Sequence, residues 1–151
     1  MRGMGLLPMD TVFAGDKTRT LVTGKIQMPD GDLKPLGGIA FEGYEIHMGV
    51  TTLKGSAKPF TTLTARTGER IEEKEDGAVH GNVMGTYTHG IFDEGDLAGA
   101  IVRLLAERKG ISSGQIGSMD TKAFKDSQYD LLAAGMREHM DIGLVYKIMG
   151  M

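Results

Sequence analysis

Few side chains in this 151-residue chain can do chemistry near neutral pH, and those few lie among glycines. His89 sits in GTYTHGIFD (Gly85–Asp93), where Gly85 and Gly90 allow the backbone to turn a ring toward a pocket. An imidazole titrates close to neutrality and is suited to take a proton from a weak nucleophile. By itself, a histidine between glycines is more at home as an exposed or core-satisfied residue of a plain turn. Glu45 and His47 in GYEIHMG (Gly43–Gly49) alternate along an extended segment, so they share one side of a strand. They either line a binding pocket or hold each other structurally. Tyr44 and Ile46 point the other way and are expected in the core. His47, His80 and His89 all fall on predicted strands. They lack helical i, i+4 spacing and companion cysteines, so no metal site is expected.

Cysteine is absent from these residues, which excludes disulfides, thiolate metal centres and covalent catalysis through a thiol of their own. No serine or threonine is read in an elbow-like G-x-S-x-G context that would substitute as nucleophile. The 11 methionines are dispersed, which suits adaptable core filling better than a methionine-lined surface. With 40% hydrophobic and 25% charged residues the composition is that of an ordinary globular domain. A net charge of −3, with Lys and Arg scattered among acids, argues against a general nucleic-acid binder. No apolar run is long enough to span a bilayer and no secretory segment opens the chain, so a cytoplasmic protein with no membrane partner is expected.

The elements that must carry these side chains change character along the chain. Residues 3 to 16 read as a strand end and a loop, and Arg19 to Ile26 as a half-exposed strand. Pro29-Asp30-Gly31 reads as a turn. The clearest strand is Ile39 to Thr52, followed by a second extended piece from Phe60 to Ala65. The charged residues 66 to 77 read as an exposed connection. Val79 to Thr88 is extended again, interrupted by Gly81 and Gly85. Asp96 to Lys109 is an amphipathic helix with Leu97, Ile101, Leu104 and Leu105 on one face, ended by Gly110. Asp120 to Asp141 forms another, with Leu131, Leu132, Met136 and Met140 on its buried side, and Ile142 to Met149 a short third. Strands come first and helices last, the order of part of an α/β domain or of an α+β domain.

Four segments, in order, resemble the glutamine-hydrolysing domain of the cobyric acid synthases. They are GMGLLPMDTVF (Gly3–Phe13), GYEIHMG, GTYTHGIFD and YDLLAAGMREHMDIGLVYKIMG (Tyr129–Gly150). The resemblance runs from about Gly3 to the end. It implies an α/β, flavodoxin-like class I glutamine amidotransferase domain, with residues 1–151 its carboxyl-terminal portion. The nucleophile elbow, the oxyanion loop and a synthetase domain are then expected outside these residues. It also implies the chemistry: a cysteine attacks the glutamine side-chain amide, giving a thioester and ammonia, while a histidine moves the protons. His89 holds the matching histidine position and is the expected catalytic residue.

Fuller triads carry Glu two residues after this histidine; here that place is Ile91, a departure that the cobyric acid synthase branch shares. What orients His89 stays open between a backbone carbonyl and another carboxylate. Glu45 and His47 are candidates for the glutamine pocket only. The resemblance implies no cofactor on this stretch, with ATP and Mg reserved for the synthetase domain. Its substrates would be glutamine and a corrinoid, adenosylcobyrinic acid a,c-diamide, and its partner the amino-terminal part or a second copy. These residues by themselves are expected to be inactive. Three other readings stand beside this one: a non-catalytic binding remnant, the related cobyrinic acid a,c-diamide synthase, and a complete small α+β protein of unrelated role.

Overall fold

The computed structural model describes residues 3–28, 31–93, 95–112 and 121–151. It divides into two compact units, residues 1–117 and 118–151. In the first, a long strand β1 (Met9–Ile26) is followed by a 3-10 turn (Lys34–Leu36) and an equally prominent strand β2 (Ala40–Leu53). Then come β3 (Thr61–Arg66), β4 (Glu69–Asp76), the short strands β5 (Ala78–His80), β6 (Val83–Gly85) and β7 (Thr88–His89), and the helix α1 (Leu97–Arg108). Strand order is β4-β3-β1-β2-β7 in the main sheet, and β5 pairs with β6 in a separate hairpin. Every pairing among the described residues is antiparallel.

Strand β1 begins at Met9, well inside the segment read as a strand end and loop, because it pairs with β2 from Met9↔Leu53 onward. The ladder is interrupted between Val12 and Lys17, opposite Gly49. Gly49 has φ +120°, and a Cβ there would overlap the Val12 carbonyl. The glycine therefore permits a bulge that a side chain would forbid. Residues 66–77 are not a connection. Thr67 and Gly68 turn β3 back into β4, and both take positive φ. Strand β4 is charged because it is the sheet edge: Glu69, Glu72, Glu73 and Glu75 deter further pairing. Of the expected turn at Pro29-Asp30-Gly31, the first two residues lie outside the described residues, and Gly31 takes φ +85°.

One face of the sheet packs on α1 and the 3-10 turn. Val22, Ile26, Leu36, Phe41, Phe60, Leu63 and Leu97 are buried there. Helix α1 contributes Leu97, Ala100, Ile101 and Leu104 to this core, whereas Leu105 is 49% exposed. At 100° per residue the stripe 97-101-104 passes through Ala100 rather than Leu105. The helix ends where Gly110 (φ +70°) lets its own N–H reach the Glu107 carbonyl and the Ile111 N–H reach Ala106.

The second unit holds α2 (Thr121–His139) and α3 (Ile142–Met149). Asp141 caps α3 by accepting the Leu144 N–H at 2.9 Å, and Gly150 closes it in the left-handed region. Leu131, Leu132, Met136 and Met140, expected on a buried side, are exposed. Two helices of this length provide no second layer to bury such a stripe. No helix among the described residues is long and apolar enough to cross a membrane.

Candidate functional site

Tyr44 of β2 pairs with His89 of β7, and Glu45 with Thr88. Directly opposed residues of an antiparallel pair put their side chains on the same face. His89 therefore shares a face with Tyr44, and by alternation with Ile46, Met48 and Val50. Glu45 and His47 share the opposite, core-facing side with Phe41 and Gly43. The burial follows this division. Tyr44 is 55% exposed, Met48, Val50 and His89 are exposed, and Ile46 is half-buried. The expectation that Tyr44 and Ile46 are core is thus overturned, and of the two readings of Glu45 and His47 the structure shows the one in which they hold each other. A carboxylate occupies the inner face because two cations, Arg66 and Lys74, and the His47 ring accompany it there.

Glu45 is fully buried. Its Oε1 accepts from His47 Nε2 at 2.9 Å and from Lys74 Nζ at 3.3 Å, and its Oε2 accepts from Arg66 at 2.5 Å. An ionised carboxylate only accepts, so His47 carries its hydrogen on Nε2. Burial alone would raise the Glu45 pKa. The His47 hydrogen bond and the Lys74 and Arg66 charges outweigh it and hold the carboxyl below the usual glutamate range. Arg66 and Lys74 come from β3 and β4, strands on the far side of β1 from β2. Both fall within the stretch, residues 66 to 77, read as an exposed connection. The paired acid and histidine were visible in GYEIHMG, but their basic partners were not.

The ring of His47 stacks on Tyr87, with centroids 4.7 Å apart and planes inclined by 28°. The Tyr87 hydroxyl shares hydrogen bonds with Thr51 Oγ1 at 2.6 Å and Thr11 Oγ1 at 3.1 Å. Its N–H points at Asp76 Oδ2 (3.4 Å), which also accepts from Thr86 Oγ1 at 2.6 Å. Thr86 in turn accepts the Thr88 N–H at 3.0 Å. Tyr87 and Asp76 were both missed as site residues. Tyr87 lies inside GTYTHGIFD, two residues before the histidine, so its motif position was the available signal.

His89 itself makes no side-chain hydrogen bond or ion pair among the described residues, and its ring lies open to solvent. Gly90 (φ +77°) turns the chain directly after it, and the Asp93 N–H closes that turn on the Gly90 carbonyl at 2.8 Å. Ile91, where a fuller triad would have a carboxylate, is buried and anchors the turn to the core. His47, His80 and His89 do not converge. Among the described residues no group of three or more His, Cys, Asp or Glu is placed to hold a metal ion. Gly110-Ile111-Ser112-Ser113-Gly114 does match the letters G-x-S-x-G, but Ser112 follows the helix α1 where a nucleophile elbow follows a strand.

Gly43 sets the distance between β2 and β7. A Cβ at this position would overlap the His89 carbonyl oxygen and the Thr88 methyl. Gly43→Ala is expected to push β7 outward and to destabilise the first unit by about 1–3 kcal/mol, the usual size of an overpacking penalty. Calorimetry measures this directly, and an unchanged midpoint would show that β7 has room to shift.

The chain belongs to the CobB/CobQ-like glutamine amidotransferase domains, whose family model matches residues 1–97 and thus both motifs. Among curated proteins the similarity is to cobyric acid synthases. The chain is 40% identical to that of Ruminiclostridium cellulolyticum over 98% of its own length and 29% of the relative's. It is 43% identical to that of Yersinia enterocolitica over 99% and 30%, and 44% identical to that of Citrobacter koseri over 97% and 29%. The chain therefore spans less than a third of the length of these relatives. No solved structure matches it significantly.

Proposed function

We propose that these residues supply the histidine half of a glutamine-hydrolysing site in a cobyric acid synthase. In this reading His89 takes the proton of a cysteine thiol carried by a segment outside the 151 residues. The thiolate attacks the glutamine amide, the thioester forms, and ammonia leaves with a proton delivered by the same imidazole. A free thiol has a pKa of about 8.5, so an adjacent base is what makes it a nucleophile at neutral pH.

The observation that carries the reading is the placement of His89. It is exposed on a sheet face, bordered by a glycine turn, with its ring uncommitted among the described residues. A base already hydrogen-bonded in a closed core would have no room for a sulfur atom. Tyr44 beside it, and Met48 and Val50 further along the same face, are exposed and suit a surface covered by the cysteine-bearing part of the same domain. The antiparallel strands then form the outer portion of a flavodoxin-like sheet, and residues 1–151 the carboxyl-terminal part of the domain. The ammonia would serve a synthetase domain that uses ATP and Mg to amidate carboxylates of adenosylcobyrinic acid a,c-diamide in the cytoplasm. The name of the relatives, cobyric acid synthase, favours this reading over a cobyrinic acid a,c-diamide synthase.

The chain of 151 residues alone is expected to release no ammonia from glutamine, because it has no thiol to offer. Adding a separately produced polypeptide that carries the cysteine elbow is expected to restore release. Ammonia formed by the chain alone, or stable self-association with no rescue by the added part, would overturn the proposal.

A further inference from the structure

Strand β7 is two residues long and pairs with β2 alone. So short a ladder fixes its own register poorly, and a slip of one residue moves each side chain to the other face. For His89 that means transfer from the open face to the buried one, opposite Glu45 or Gly43. Something other than the ladder must hold the register.

We propose that Tyr87, clamped by His47 and through it by Glu45, is the positioning residue that sets the register of β7 and so the place of His89. This assignment rests on the reading of His89 as the base. It gives GYEIHMG a role distinct from lining the glutamine pocket. Tyr87 is tied at both its ends. Its ring lies on His47, whose Nε2 is fixed by the buried carboxylate, and its hydroxyl is tied to Thr51 and Thr11 across β2 and β1. Its main chain is held as well, the carbonyl accepting the Ile46 N–H at 3.4 Å and the N–H facing Asp76. A slip of β7 by one residue would carry Tyr87 along β2 by about 3.3 Å. That movement would break the stack and both hydroxyl bonds together. The clamp thus makes the register all-or-none, with His89 on the open face in the only position that satisfies it.

The test uses the complete glutamine-hydrolysing enzyme, comparing kcat and KM for glutaminase with the thermal midpoint. Tyr87→Phe keeps the stack and is expected to stay within about threefold of the parent kcat. Tyr87→Leu loses both stack and hydroxyl. Its kcat is expected to fall on the order of 10–100-fold, since misplacing a reacting group by about an ångström has effects of this size. KM should change little. Should Tyr87→Leu fail to fold, His47→Gln decides by the same split, because it keeps a donor for Glu45 and removes the ring. A purely structural clamp would lower the midpoint and leave kcat per folded molecule unchanged, which overturns the proposal. His89→Asn is run alongside. If it is inactive while Tyr87→Leu (or His47→Gln) keeps the parent kcat, the positioning role alone fails. If His89→Asn is fully active, the base assignment fails and this inference with it.

Discussion

Replacing His89 with asparagine in the complete enzyme is expected to cut glutamine-dependent ammonia release by about 10²–10⁴-fold, the usual contribution of a positioned acid–base group. Asparagine fills a similar volume and forms hydrogen bonds, but it does not take a proton near neutrality. The ring is exposed and makes no side-chain bond among the described residues, so the fold should not register the change. Circular dichroism and the unfolding midpoint should match the parent. The synthetase reaction fed with external ammonia should continue at the parent rate, because it bypasses the glutaminase. Loss of both activities together would assign His89 to the stability of the domain.

Removing the buried carboxylate acts on stability instead. Glu45→Ala leaves His47, Lys74 and Arg66 facing one another without their shared counter-charge. Removing one partner of a fully buried ion pair costs about 3–5 kcal/mol. Lys74 and Arg66 retain access to water, so the expected loss is smaller, roughly 2–3 kcal/mol after that screening. Denaturant titration of the first unit's strands would measure it. The pH dependence has a definite sign. Because the folded carboxyl titrates below its unfolded value, its contribution is present above the ordinary glutamate range of roughly pH 4. It is lost as pH falls through the lower, folded value. The parent should therefore lose stability more steeply than Glu45→Gln on acidification below about pH 4. Parallel acid curves would show that folding does not lower the Glu45 pKa.

Much of the strand and helix order could be read directly from residue patterns. Ala40–Leu53 and Ile142–Met149 stand where alternation and periodicity put them, and the shared side of Glu45 and His47 followed from the strand period of two. The choice of face did not follow. Hydropathy assigned Tyr44 and Ile46 to the core, because nothing local shows that Glu45 will meet Arg66 and Lys74 from two other strands. For the same reason the charged run at 69–76 looked like a loop: an edge strand is protected by the residues that make it seem non-strand. The exposed stripe of α2 has the opposite cause. Its periodicity is genuine, but periodicity identifies a sticky side without supplying what it sticks to.

The main sheet has two unlike flanks. At β4, four glutamates line the border and repel any incoming chain, so backbone pairing stops there. At the other border β7 adds only Thr88 and His89, paired with Glu45 and Tyr44 of β2. A strand added to the sheet would meet less repulsion at the border that holds the imidazole than at the glutamate-lined one.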